Sequence, residues 1–424
     1  MPTENASFDS SLRIRGELDL RALRAQDSSG LLTGIDRAVV WTIKLTTRFR
    51  GITRRDGVLL HGGAGWGEVA PFWNYGLEDS AAWLAAGLEW ALAGATGLPQ
   101  IRHSVPVNVT IPEVSSEAAR TLVRRSRADT AKVKVAGASD SDSLDSDIQR
   151  LGAVRDELGP EGRIRIDANG AWDPRTAATV LPLLDKAAGG LQYVEQPCPD
   201  LADLVALRRV IDIPIAADES IRLSTDPLAV ARSGAVDVAI LKVAPLGGVR
   251  RAYTLAQSLG MPAVVSSALD TSVGLSAGVS LAAALPELAG ACGLGTIRLL
   301  DRDVAAPSFT PVSGALPVRP VHVSRRLLAS VAADDDLTSR WQVRLGHIVS
   351  ANGATPAAPS RGSHCECCEC CERGHSRTSG RRARRRTGAG STPDRADGPR
   401  GPGRCRCAAR RPEPRLPQRS VRAR

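Results

Sequence analysis

From Val105 onward, apolar residues come in short runs, each followed by a stretch with helical spacing. The runs are VPVNVTI (105–111), AKVKVA (131–136), RIRIDAN (163–169), LQYVEQP (191–197), IPIAADES (213–220), VDVAILKV (236–243) and PAVVSSAL (262–269). Between them lie segments such as LADLVALRRVI (201–211) and VRRAYTLAQSLG (249–260), in which apolar residues return every three or four positions. Repeated strand-then-helix units predict a parallel sheet. Seven of them predict a (β/α) barrel of the TIM type rather than an open sheet. The eighth strand is not evident in the pattern. No glycine-rich phosphate loop opens any helix, which argues against a nucleotide-binding sheet.

The segment before the barrel has a different rhythm. AVVWTIKLTTRF (38–49), GVLLHGG (57–63) and GWGEVAPF (65–72) are β-rich, and Asp79 to Ala95 carries Trp83, Leu84, Leu88 and Leu92 at helical spacing. This predicts a small α+β capping domain. The expected organisation is a loose leader over 1–33, the capping domain over 34–104 and the barrel over 105–296. A segment over 297–350 would return to the capping domain, and 351–424 would form a disordered tail.

Composition sharpens that division. Hydrophobic residues make up 43% of the 424, enough for a sizeable core. The net charge is +10, but residues 361–424 alone carry +12, so the rest of the chain is at −2. The tail also holds seven of the nine cysteines. Cys198 and Cys292 remain in the body, which fits a reducing, cytoplasmic setting without a disulfide framework. No leader with a basic segment followed by an apolar one is read at the start, and no apolar stretch is long enough to span a membrane. Within the tail, HCECCECCERGH (364–375) has overlapping CxxC pairs without a second pair at finger spacing, and RRARRR (381–386) would attract polyanions by charge alone. A nucleic-acid partner would rest on the tail only and is not expected. The tail's composition reads more like GC-rich DNA translated in a wrong frame than like a selected domain.

Against 55 Lys and Arg together, only five residues are Lys: Lys44, Lys132, Lys134, Lys186 and Lys242. Lys can give up its proton and Arg effectively cannot, so the few lysines point to positions where a base is needed. Three of them fall in barrel strands. Lys134 ends the second run, Asp167 the third, Glu195 the fourth, Asp218 the fifth and Lys242 the sixth. Groups at the C-terminal ends of barrel strands converge on one mouth. Three carboxylates from neighbouring strands make a site for a hard divalent cation, with Mg²⁺ the natural choice. The strands of Lys134 and Lys242 are four apart, so the two lysines would face each other across the cation. A substrate carboxylate between them would have its acidity raised at the alpha carbon, and a lysine would take that proton. Alternation places Lys132 with Lys134, and Arg165 with Asp167, on one face. It does not choose between Asp218 and Glu219.

The motifs KVK (132–134), RIDANGAW (165–172), VEQP (194–197), ADES (217–220) and ILKVAPLGGV (240–249) resemble the muconate-lactonizing and o-succinylbenzoate synthase branch of the enolase superfamily. The resemblance runs from about Asp36 to about Arg344. It implies that Asp167, Glu195 and Asp218 bind Mg²⁺ (with Mn²⁺ as a substitute), that Lys134 is the acid/base and that Lys242 lies opposite. Lys132 would support Lys134, and Ser266 and Ser267 would hold a substrate carboxylate. The capping segment RFRGITRRDGVLL (48–60) is similar to a loop that closes over the substrate, and its Arg48, Arg50, Arg54 and Arg55 favour a dianionic small molecule. The implied reaction is dehydration of a cyclohexadiene carboxylate to 2-succinylbenzoate, and the alternative on the same scaffold is racemisation or epimerisation of N-acylamino acids or dipeptides. Gly247 and Gly248 would serve either an anion at a helix start or a turn. Oligomeric state is not legible.

Overall fold

The computed structural model describes residues 14–137 and 142–354, so the expected tail from residue 355 on, with its cysteine cluster and arginine run, falls outside the described residues. The first three strands, β1 (Arg37–Phe49), β2 (Ile52–Gly62) and β3 (Gly65–Val69), form an antiparallel sheet. Helix Leu77–Ala93 packs on it and buries Trp83, Leu84, Leu88 and Ala91. Residues 14–33 are not the loose leader that their weak patterning suggested. They contain helix Leu20–Ala25, and Leu18, Leu23 and Leu32 are buried in the same core as Val40, Val58 and Leu60. Few apolar residues are needed to dock so short a segment, which explains why no period was visible.

Strand β4 (Ser104–Pro106) pairs antiparallel with β12 (Ala315–Pro317), apart from the barrel. The run read as one strand over 105–111 is therefore two, interrupted after Pro106, which has no N–H to continue a ladder. The barrel sheet is parallel and takes its strands in chain order: β5 (Val109–Ile111), β6 (Thr130–Lys134), β7 (Arg163–Asp167), β8 (Leu191–Glu195), β9 (Ile215–Ala217), β10 (Val238–Lys242) and β11 (Ala263–Ser266). The eighth position is filled by the segment around Cys292 and Gly293. It bridges Val107 on one side and Ser266 on the other, with Asn108 N–H donating to the Cys292 carbonyl at 3.0 Å.

Two cores sit inside and outside this sheet. The outward faces of β6, β7 and β8 pack Ile164, Ile166 and Val194 against helices such as Pro174–Ala188, which starts on Pro174 with Asp173 capping the N–H groups of Arg175 and Thr176. Inside, Tyr193, Ala216, Ile240 and Val264 form one layer. Two residues further along the same strands stand Glu195, Asp218, Lys242 and Ser266. Side chains two apart share a face, so an apolar floor directly supports a polar layer at the strand ends. C-terminal to the barrel, helix Asp335–Ala354 runs through residues 351–354, which the sequence assigned to the disordered tail, and its Trp341, Leu345 and Ile348 join the core of the capping sheet.

Candidate active site

The register of the sheet sets the site. Lys134 pairs with Asp167, Asp167 with Glu195, and Lys242 with Ser266. The backbone leaves two of these strand ends in a left-handed conformation, at Asn169 (φ 49°) and Gln196 (φ 39°). Non-glycine residues hold that conformation only where surroundings enforce it. Here Gln196 is fully buried, and its Oε1 accepts from Asp218 N–H at 3.0 Å and Ser220 N–H at 3.2 Å, tying the end of β8 to the end of β9.

The charged groups form one buried network. Lys132 Nζ lies 2.8 Å from Asp167 Oδ2 and 2.6 Å from Glu195 Oε1. Lys134 Nζ lies 2.5 Å from Asp167 Oδ2 and donates at 2.5 Å to Asn169 Oδ1. Lys242 donates to Asp218, whose other oxygen accepts from Arg222 Nε at 3.0 Å. Glu219 turns elsewhere: it accepts from Arg222 at 2.6 Å and from Asn169 at 3.3 Å, and Arg50 approaches it at 3.7 Å. Thus Asp218, not Glu219, stands in the buried layer with Asp167, Glu195 and Lys242.

Electrostatics follow from burial and from the neighbouring charges. Burial opposes charge on Asp167, yet Lys132, Lys134 and Lys242 hold it well below the usual carboxylate range. Burial, then the neighbouring Asp167 charge, pushes Glu195 up to about 7 against the pull of Lys132. Burial also opposes charge on Lys132, but Asp167 and Glu195 together raise it. For Lys134 the balance tips the other way: burial, helped by the Lys132 and Arg50 charges, lowers it against Asp167. A lowered pKa eases loss of the lysine proton, which a general base requires.

Three carboxylates at adjacent strand ends are hard oxygen donors, and buried Glu195 Oε2 has no hydrogen-bond partner. The donor set therefore fits a divalent cation. Lys132 bridges Asp167 and Glu195, and Lys242 pairs with Asp218; among the described residues, no three His, Cys, Asp or Glu side chains are gathered at coordinating distance.

One cavity is lined by Lys132, Lys134, Asp167 and Lys242 together with Phe49, Arg50, Ser266, Ser267 and Leu269. Of the four capping-segment arginines, Arg50 lines it. Arg54 bonds the Thr42 hydroxyl at 3.3 Å, and Arg55 is buried against backbone carbonyls, including that of Leu269. The expected arginine-rich lid thus reduces to one side chain at the cavity. Ser267 Oγ donates to the Gly293 carbonyl at 3.0 Å and meets Thr296 Oγ1 at 2.7 Å, while Ser266 Oγ donates to Gly293 O at 3.4 Å. Both serines face the cavity, yet their hydroxyls already have backbone partners. Sequence reading missed Asn169 and Arg222. Asn169 was inside a quoted motif, two residues past a candidate ligand, whereas nothing local marks Arg222, which reaches back one helical turn to Asp218.

Both readings left open at Gly247–Gly248 apply: the two glycines turn the chain at φ 86° and 124°, and the anion at the helix start is the protein's own. Glu89 of helix Leu77–Ala93 accepts from Val249 N–H at 2.6 Å and Arg250 N–H at 3.2 Å. Gly248 holds a φ of 124°, a conformation side chains rarely adopt, and a Cβ there would fall 1.9 Å from Glu89 Oε2, so the position favours glycine.

Comparison with known proteins places these features in a family. Residues 114–322 match the model of the enolase C-terminal domain-like family, and residues 40–91 match the enolase N-terminal domain-like family. The chain is 53% identical to an o-succinylbenzoate synthase of Thermobifida fusca over 72% of this chain and 93% of that one. It is 49% identical to one of Mycobacterium leprae over 68% and 84%. Solved structures share the fold: muconate lactonizing enzyme of Pseudomonas fluorescens at a TM-score of 0.60 and 22% identity, covering 70% of this chain and 98% of that one. The L-Ala-D/L-Glu epimerase of Bacillus subtilis follows at 0.57 and 23%, covering 68% and 96%.

Proposed function

The chain belongs to the o-succinylbenzoate synthase family of the enolase superfamily, and from that premise we propose that it is the hydro-lyase that converts 2-succinyl-6-hydroxy-2,4-cyclohexadiene-1-carboxylate to 2-succinylbenzoate in menaquinone biosynthesis. The observation that carries this reading is the 53% identity to a named synthase along 93% of that relative's length. Neutral Lys134 takes the proton alpha to the carboxylate, and the electron pair left behind forms the new ring double bond as the hydroxyl departs. The proton held by Lys134 leaves with that hydroxyl as water, so the lysine ends neutral and the ring ends aromatic. Lys242, four strands away, stands beside the developing negative charge. Lys132 keeps Asp167 and Glu195 paired. Arg50 and Phe49 cover the cavity from the capping sheet, where Arg50 supplies charge to a second carboxylate. Asp167, Glu195 and Asp218 would hold a divalent cation, Mg²⁺ in preference with Mn²⁺ as a substitute, which would supply positive charge to the substrate carboxylate. We place the enzyme in the cytoplasm, consistent with Cys198 and Cys292, which are buried and free among the described residues. Among the described residues, no helix is long and apolar enough to cross a membrane.

Two lysines facing one cavity from opposite strands are also what proton transfer on both faces of a carbon requires, which favours a secondary racemase activity on N-acylamino acids. The test gives purified protein each substrate in D₂O. Formation of 2-succinylbenzoate is expected as the faster reaction, with slower deuterium entry at the alpha carbon of an N-succinylamino acid. Absence of aromatic product with rapid alpha-deuteration would reverse the order of the two readings.

A further inference from the structure

The mechanism leaves unused a second buried group of charges, at the seam between the capping sheet and the barrel. Glu68, on β3, is buried and reaches the start of barrel helix Ser272–Ala284. Its Oε2 accepts from Thr271 N–H at 3.1 Å and Gly274 N–H at 3.0 Å, and it also accepts from the Thr271 hydroxyl. Three donors at a helix start satisfy a carboxylate well, and the helix dipole favours its charge. A Cβ at Gly274 would sit 3.1 Å from that oxygen and 2.8 Å from Asp270 Cβ, so the approach depends on glycine. Asp270 turns back on its own loop and accepts from Ala268 N–H at 3.0 Å. Arg55, on β2, donates to the carbonyls of Leu269 and Ala70.

The segment so gripped is 266–271, and its Ser266, Ser267 and Leu269 line the catalytic cavity. Leu269 itself holds a positive φ of 66°, a conformation a leucine keeps only under constraint. A capping-domain carboxylate and a capping-domain guanidinium thus fix the backbone of the barrel loop that forms one wall of the site. We propose that Glu68, assisted by Arg55, is a positioning residue that sets substrate affinity by holding the 266–271 loop in its binding conformation. The proposal rests on the reading of this cavity as the substrate site. Glu89 offers an internal contrast: it caps the neighbouring barrel helix from the same capping domain, but the loop it holds contributes no residue to this cavity.

The experiment compares Glu68→Ala, Glu68→Gln, Glu89→Ala and wild type as full-length proteins, by steady-state kinetics and by amide hydrogen exchange read by mass spectrometry. Glu68→Ala is expected to raise KM about tenfold, the loss of one or two buried hydrogen bonds, with kcat within about threefold of wild type. Exchange should rise in peptides spanning 266–274. Glu68→Gln keeps an acceptor for the Thr271 hydroxyl and should restore most of the affinity. Glu89→Ala should lower stability and leave KM in place. An unchanged KM in Glu68→Ala, an equal KM rise in Glu89→Ala, or a loss confined to kcat would each overturn the proposal. Should Glu68→Ala fail to fold, Thr271→Val removes one partner of the carboxylate and must show the same KM rise and local exchange, or the proposal falls. Wild-type protein inactive on the dehydration substrate would count against the functional reading, whereas an active wild type with unmoved variants counts against the loop.

Discussion

Replacement of Lys134 separates chemistry from architecture. The side chain is buried with Nζ at 2.5 Å from both Asp167 Oδ2 and Asn169 Oδ1. Removing it does not strand Asp167, because Lys132 remains 2.8 Å away. The stability cost of Lys134→Ala should therefore stay near that of a lost charged hydrogen bond, about 1.5–3 kcal/mol, below the ~3–5 kcal/mol of an orphaned buried charge. A folded protein with a modestly lower Tm is expected. The rate cost is larger. A positioned general base contributes roughly 10²–10⁴-fold, or about 3–5 kcal/mol of barrier, and no other neutral amine takes its place. Lys134→Arg should be nearly as damaging, since a guanidinium keeps the charge but cannot accept the proton. Lys242→Arg is the contrast. Its partner Asp218 also has Arg222 at 3.0 Å, and only a positive charge is asked of position 242 in dehydration. It should keep more synthase activity than Lys134→Arg while losing alpha-proton exchange on one face of an N-acylamino acid. The assay follows 2-succinylbenzoate by chromatography, with thermal melts of each variant alongside. Lys134→Ala within tenfold of wild type would refute the assignment of the base, and the reverse order of the two arginine variants would mean that the lysine roles are exchanged.

Other consequences are open to measurement. Chelation should abolish turnover and Mg²⁺ or Mn²⁺ should restore it. Independently of activity, metal at a hundredfold its Kd should stabilise the fold by about 2.7 kcal/mol, visible as a higher Tm; identical melts with and without metal would contradict the ligand set. Burial, then the neighbouring Asp270 charge, raises Glu68 from an ordinary 4.5 to about 7, against the pull of Thr271 and Arg55. The folded state therefore holds a proton that the unfolded state has released between those values. Stability should fall as pH rises through that window and level off above it, by an amount on the order of 1–3 kcal/mol. Denaturant titrations from pH 5 to 8 should show a flatter profile in Glu68→Gln, and parallel profiles would remove Glu68 from the account. A chain ending at Ala358 should fold and turn over substrate like the full one, since every candidate site residue precedes Asp270; an insoluble or inactive truncation would make the tail part of the enzyme.

The alternation of short apolar runs with helical stretches was enough to predict parallel strands, because period two and period 3.6 are local properties of the backbone. The same periodicity put Lys132 with Lys134, and Arg165 with Asp167, on one face; the runs end at Lys134, Asp167, Glu195 and Lys242, and a barrel's geometry brings such ends together whatever the connecting helices contain. Tertiary structure decided what depends on residues far apart in the chain. Asp218 rather than Glu219 joins the buried layer because Gln196 and Arg222 fix the end of β9. The barrel closes at Cys292 and Gly293 through single bridges, too short to leave an alternating pattern. Four arginines of one capping segment look alike in sequence, yet one lines the cavity and another is buried against the carbonyls of a loop 214 residues away. Which side chain meets which across such distances is set by how the capping sheet docks on the barrel, and no local period of the chain carries that information.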